Sequence, residues 1–219
     1  MSKSSRLCYS GAYLFQTTMV EVFFDIETKK LFDQIENRDN LPDLGVSIVS
    51  LYRRKLEQNL SENEGEMRSF WEADFSQMWP LFEGADRIIG FNSLKFDVPV
   101  LAPHYHRDFT KLAHFDILEK IKNVLGHRIS LDALAKQTLG KTKLADGLAA
   151  VDWWNRGDKA SLANLKRYCE MDVLVTRDIY DFALKNKRLL FMDRWNQPKE
   201  VELNFDYLSQ TPVAQMGLF

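Results

Sequence analysis

The sequence predicts an α/β protein in which a mixed sheet is covered by helices. Three observations carry this. Strand-like segments dominate the first half, helical periodicities dominate the second, and a short apolar strand at Ile88–Phe91 runs into a helix near Phe96–Leu101 as a strand–helix crossover. The 219 residues suffice for one α/β domain with a proper core and are marginal for two. Domain boundaries are read as a loose leader over residues 1–18, a folded domain over 19–208 and a flexible tail over 209–219.

The first strand, about Val20–Thr28, is the organising stretch. Met19, Val20, Val22, Phe23, Phe24 and Ile26 are apolar, yet Asp25 and Glu27 interrupt them. Strand residues alternate faces, so Phe23, Asp25 and Glu27 point one way and Val22, Phe24 and Ile26 the other. Two carboxylates two residues apart on a half-buried face repel, and a bound hard cation, Mg²⁺ or Mn²⁺, is the simplest relief. An edge strand with its acids in water is the alternative, and the surrounding apolar residues oppose it.

The remaining elements follow in order. Gly45–Tyr52 is a second strand with Arg53-Arg54-Lys55 as a basic turn or strand end, Ser61–Glu66 a polar loop, and Met67–Trp71 a third strand. Phe75, Met78, Trp79, Leu81 and Phe82 form a helical stripe in spite of Pro80. Ile117, Leu118, Ile121, Val124 and Leu125 repeat at helical spacing. Ser130 caps a further helix that Gly140 ends, and Asp158 caps the longest helix, about Ala160–Lys185. A hairpin of Leu189–Asp193 and Val201–Phe205 follows.

Bulk properties exclude several classes. A net charge of −2 gives no global basic signature, so nucleic-acid binding has to come from a local patch or from metal ions. Two cysteines make no disulfide framework, and a reducing, cytoplasmic setting is the default. No run is long enough for a membrane span. The stretch before Met19 lacks a signal-peptide cleavage site, and Met19 itself is read as a candidate translation start.

Two more acids stand out. Asp97 follows the Ile88–Phe91 strand at a helix start, near the strand's C-terminal end, where open α/β sheets place their sites. Alone it fits a helix N-cap. Asp172 lies inside the long helix with Tyr168 one turn before it on the same face. Alone it fits a salt bridge with Arg167 or Arg177.

Together, Asp25-x-Glu27, Asn92-x-x-x-Phe96-Asp97 and Tyr168-x-x-x-Asp172 resemble the three motifs of the DEDD superfamily, 3′–5′ exonucleases on a ribonuclease H-like fold. Tyrosine four residues before the last Asp matches the DEDDy branch. The DEDDh branch has histidine one residue earlier, where this chain has Arg167. Phe24-Asp25-Ile26-Glu27-Thr28, Gly90-Phe91-Asn92 and Tyr168-Cys169 also resemble the proofreading domain of family B DNA polymerases. The resemblance spans Val20 to Ala183. It implies a mixed five-stranded sheet, second strand antiparallel to its neighbours, with helices on both faces. It further implies two divalent ions roughly 4 Å apart around the scissile phosphate. Asp25, Glu27, Asp97 and Asp172 would be the ligands, and Tyr168 would orient the attacking water. Family logic sets the terminal nucleotide near Thr28, Asn92 and Phe96, with bracing of the loop as Asn92's alternative role. The product would be nucleoside 5′-monophosphates. Lys95, Lys136, Lys141 and Lys143 are candidate phosphate contacts or ordinary surface charges.

The C-terminal Gln215-Met216-Gly217-Leu218-Phe219 resembles the Gln-x-x-Leu-Phe peptide by which bacterial polymerases and DNA repair proteins dock on the sliding clamp. Gln215, Leu218 and Phe219 are its candidate contacts, and an apolar tail folded onto the sheet is the alternative. Clamp docking would favour DNA over RNA as substrate. The competing functions are an exoribonuclease on the same site and a non-catalytic nucleic-acid-binding module. The latter would be expected to lose one or more acids, and all are present.

Overall fold

In the computed structural model, residues 18–141 and 147–207 are described. The apolar run at the start forms strand β1, Met19–Thr28. It pairs along its whole length with antiparallel β2, Val46–Leu56, which in turn pairs with antiparallel β3, Glu62–Trp71. Helix α1, Phe75–Glu83, leads into β4, Arg87–Gly90, which lies parallel to β1. Helix α2, Asp97–Leu101, precedes β5, His114–Asp116, parallel to β4. The sheet order is therefore β3-β2-β1-β4-β5, mixed and five-stranded, with the second strand antiparallel to both neighbours.

Alternation along β1 divides the core into two layers. Val22, Phe24 and Ile26 face α1 and α2, where they pack with Met78, Trp79, Phe82 and Val98. Phe23 faces the other side, with the later helices. These are α3, Ile117–Leu125; α4, Leu131–Leu134, prolonged by a π-helical turn over Ala135–Leu139; α5, Gly147–Arg156; and α6, Lys159–Asn186. The Asp158 carboxylate accepts from the Ala160 and Ser161 amides, which satisfies orphan donors and starts α6 as expected. Pro80 begins the last turn of α1 and forfeits one helical hydrogen bond, an expense offset by burial of Phe75, Met78, Trp79 and Phe82. A separate two-stranded hairpin, β6 (Arg188–Met192) and β7 (Pro198–Glu202), covers the end of α6.

Several boundaries differ from the sequence expectations for physical reasons. Arg53-Arg54-Lys55 lies within β2, because Arg54 is buried against Glu21 and Asp181 instead of turning into water. Most of the supposed polar loop is the outer half of β3, whose polar residues are exposed yet ladder-bonded to β2. The second hairpin strand is Pro198–Glu202, not Val201–Phe205, since Leu189 pairs with Val201. The sequence reading also missed β5 and α5.

Candidate active centre

The centre is built where β1 outruns β4. Their parallel pairing ends at Phe23 opposite Ile89, while β1 continues against β2 to Thr28. Asp25 and Glu27 thus sit on a strand held firmly on one side, beyond the C-terminal end of its other neighbour. Both share the Phe23 face, which α6 covers. From α6, Asp172 approaches, and Asp25, Glu27 and Asp172 each offer an oxygen, all within 4.8 Å of one another. Asp97 is not part of that group.

Tyr168 lies one turn before Asp172, 6% exposed, its ring 6.1 Å from that of Trp153 on α5. Its hydroxyl donates to the Asp172 carboxylate, and burial, followed by the charges of Asp172, Glu27 and Asp25, pushes its pKa far above the ordinary tyrosine range. It is a neutral hydrogen-bond donor aimed into the acidic centre. Cys169 is fully buried on the same turn, with Sγ 3.5 Å from the Asp25 carbonyl oxygen. Burial first, then the charges of Asp25 and Glu27, raises its thiol pKa well above normal. That thiol packs against the strand as a protonated, inert group.

Asp97 enters from the opposite face of the sheet. It opens α2 and is 4% exposed, and its Oδ1 accepts from the Ile26 amide at 3.2 Å. That amide points to the side of β1 where β4 has already ended, so Asp97 takes over a lost ladder bond. Burial pushes its pKa up to about 7, opposed by hydrogen bonds from its own and the Ile26 amide and assisted by the charge of Asp116. Its position on α2 depends on a turn that begins with Asn92 in the left-handed region (φ 65°), where asparagine is favoured over most residues. The turn is tied down by Asp116. Its Oδ1 accepts from the Asn92 amide at 2.9 Å and its Oδ2 from the Leu94 amide at 3.0 Å, and the same side chain caps α3 through the Glu119 amide. The sequence reading did not single out Asp116. An Asp directly before the apolar repeat starting at Ile117 is the N-cap signal that would have found it.

Of the residues expected at the terminal nucleotide, Thr28 and Phe96 are brought together. With Ile26, Glu27 and Leu148 they line an open cavity of about 370 Å³ beside the acidic centre. Phe32 adds its ring 6.0 Å from Phe96, and Thr28 fixes the strand end by donating to the Lys30 carbonyl at 2.8 Å. Asn92 does not line this cavity; its amide braces the turn. Among the lysines, Lys141 pairs with Asp178, Lys95 and Lys136 are exposed, and Lys143 lies outside the described residues. So do Gln215, Leu218 and Phe219 of the tail.

The donor set fits a hard divalent ion. Three carboxylate oxygens converge, the chemistry that suits Mg²⁺ or Mn²⁺.

The fold and centre define an α/β protein with a mixed five-stranded sheet and an acidic cluster at the end of its central strand. Residues 22–184 match the RNase_H superfamily, and the chain belongs to it. Among solved structures, the chain is similar to E. coli Exonuclease I in complex with a dA16 oligonucleotide, at 13% identity and a TM-score of 0.48, over 76% of this chain and 41% of that one. It is also similar to the zinc-ion-bound E. coli ExoI–ssDNA complex, at 14% identity and a TM-score of 0.45, over 77% and 41%. The chain therefore spans well under half the length of those proteins. Among curated proteins no match is found. Among the described residues, no helix is long and apolar enough to cross a membrane.

Proposed function

We propose that the protein is a metal-dependent 3′–5′ exonuclease that hydrolyses the terminal phosphodiester of DNA, single-stranded or mismatched at its 3′ end, and releases nucleoside 5′-monophosphates. The observation that carries this reading is the convergence of Asp25, Glu27 and Asp172 with Tyr168 one helical turn from Asp172. Asp25, Glu27 and Asp172 would hold a divalent ion, with Asp97 behind the strand for the second site of a two-ion arrangement. Such ions supply water activation and neutralisation of phosphate charge. Tyr168 donates a hydrogen bond within the acidic centre and orients the attacking water. Burial, the first cause of its raised pKa, keeps the phenol protonated, so it serves as a donor and not as the base. The cavity lined by Thr28, Phe96 and Leu148 beside Glu27 has the size of a small-molecule pocket and would take the terminal nucleoside, which favours end-directed over internal cleavage.

The test uses DNA and RNA of one sequence, labelled at the 5′ end, with Mg²⁺ or Mn²⁺ and with Asp25→Ala as control. A metal-dependent ladder shortening from the 3′ end, absent in the variant, is expected, with DNA the better substrate. No shortening of either strand by protein that binds Mn²⁺ would refute exonuclease activity for the isolated chain. Preferential shortening of RNA would make it an exoribonuclease. We further propose that Gln215, Leu218 and Phe219 dock on a bacterial-type sliding clamp. Deleting residues 215–219 should abolish capture by the clamp and spare degradation of a free oligonucleotide, and unchanged capture would sink the idea.

A further inference from the structure

A second groove lies apart from the acidic centre. It has a volume of about 740 Å³ and runs between the α3–α4 connection and the β6–β7 turn. His127, Arg128, Arg194 and Lys199 stand at its rim, and Phe191 contributes apolar floor. Trp195, at the tip of the hairpin, is 67% exposed, the most exposed large hydrophobic side chain among the described residues. Single exposed apolar side chains are ordinary, and it is the cations lining the same groove that set Trp195 apart.

The turn is rigid. Asp193 Oδ1 accepts from both the Trp195 and the Gln197 amides at 2.9 Å, and Asn196 occupies the left-handed region at φ 60°. Asp193, the one acid lining the groove, is thereby engaged with backbone donors. Arg194 lies over the Trp195 ring, its guanidinium carbon 4.1 Å from the centroid. Three other cations are engaged by acids: Lys141 with Asp178, Lys187 with Asp206, and Arg188 with Glu200. Among the described residues, Arg128, Arg194 and Lys199 form no ion pair, although the chain as a whole is slightly acidic.

An exposed aromatic face flanked by unpaired cations fits a polyanion that carries flat rings. We infer that this groove binds single-stranded nucleic acid, with a base stacked on Trp195 and phosphates held by Arg128, Arg194 and Lys199. The inference rests on the nucleic-acid reading above and extends it to the strand upstream of the reacting end. Helix α3 leaves the Asp116 brace and carries the chain away for nine residues, roughly 13 Å, before the groove begins. The groove is thus separate from the terminal-nucleotide cavity and would serve nucleotides further along the strand.

The experiment measures binding, not turnover. The full chain carrying Asp25→Ala is titrated against a dye-labelled oligothymidylate long enough to reach both sites, over a range of salt. Adding Trp195→Ala should weaken binding about tenfold, a stacking-sized loss, and Trp195→Phe should restore most of it. Each of Arg128→Ala, Arg194→Ala and Lys199→Ala should lower the slope of log affinity against log salt by about 0.7, the single-strand value per phosphate contact. All four positions are on the surface, and matching melting temperatures check that the variants fold. Unchanged affinity and slope in every variant would overturn the inference. So would tight, Trp195-dependent binding of a polyglutamate peptide with no binding of the oligonucleotide. The two readings fail separately. Trp195-dependent binding by a wild-type protein that cuts nothing would support the groove and refute the nuclease. Cleavage accompanied by Trp195-independent binding would do the reverse.

Discussion

Arg54→Leu should be among the most damaging single substitutions outside the acidic centre. Glu21 is 0% exposed and Arg54 5% exposed. Arg54 Nε donates to Glu21 Oε2 at 2.7 Å, and its two terminal nitrogens reach Asp181 at 2.9 and 2.6 Å. Glu21 Oε1 accepts from the hydroxyl of Tyr180 at 2.8 Å and from that of Tyr207. The guanidinium also lies over the Phe23 ring, 4.8 Å from its centroid. Leucine fills much of the aliphatic volume but strands the Glu21 carboxylate in the core with two phenols for company. Removing one partner of a buried pair costs roughly 3–5 kcal/mol. For a domain of this size that corresponds to a fall of about 6–20 °C in melting temperature, at about 2–4 °C per kcal/mol. Adding Glu21→Gln to Arg54→Leu removes the stranded charge and should recover more than half of the loss. Urea unfolding of the wild type, both single variants and the double variant gives the coupling directly. A loss below about 1 kcal/mol for Arg54→Leu, or a double variant no more stable than Arg54→Leu, would refute the reasoning.

Asp116→Ala should cost about 2–3 kcal/mol, because three partly buried amides, of Asn92, Leu94 and Glu119, lose their acceptor; chemical denaturation reads the loss, and activity should fall with it as the turn before Asp97 loosens. Gly90→Ala should destabilise by about 1–3 kcal/mol, since an added Cβ would meet the Ser93 side chain at 2.5 Å and the Phe24 ring at 3.3 Å; a melting temperature equal to that of wild type would contradict this. His114 supplies a pH dependence. Burial lowers its pKa below the ordinary histidine value, against the opposing effects of its hydrogen bond to the Phe109 carbonyl and the charge of Asp116. The unfolded chain therefore binds the proton more readily, so this contribution to stability is complete above about pH 6.5 and is lost as pH falls toward the lower folded pKa. The difference in unfolding free energy between pH 7.5 and 5.5 should shrink in His114→Phe, and an unchanged difference would exclude His114 as a source.

What the sequence made legible was what repeats or what conflicts. The apolar run at Met19–Ile26 marks a buried strand, and its two acids mark the conflict that a site resolves. The long helix shows itself through an N-cap at Asp158 and apolar residues at helical spacing. What stayed hidden was short, or was defined by partners far along the chain. The three residues of β5 are too few for a period of two to appear. The outer halves of β2 and β3 look like loop because Arg53–Lys55 and Glu62–Glu66 are charged or polar. They are strand because they pair with each other, and Arg54 is tolerated inside because Glu21, 33 residues away, meets it. The groove at Trp195 was invisible for the same reason: Arg128 and Arg194 are neighbours only after the hairpin folds back on the α3–α4 connection.

The face of β1 that carries the proposed chemistry holds three acids, and the strand treats them differently. Glu21 lies where β1 is flanked by both β2 and β4, and there a carboxylate is tolerated because Arg54, Tyr180 and Tyr207 engage it. Asp25 and Glu27 lie beyond the last β1–β4 pair, where the sheet is open on one side and Asp172 can approach from α6. The same overhang frees the Ile26 amide on the β4 side, and Asp97 occupies it from the opposite layer. One structural event, β4 stopping at Gly90 while β1 runs on to Thr28, thus makes room for the cluster and gives Asp97 its anchor. Lengthening β4 by even one ladder step would pair the overhang and displace Asp97 and the Asn92 turn. Right after Gly90 the chain turns at left-handed Asn92, held by Asp116, and folds Ser93 back against Gly90 so closely that a Cβ there has no room.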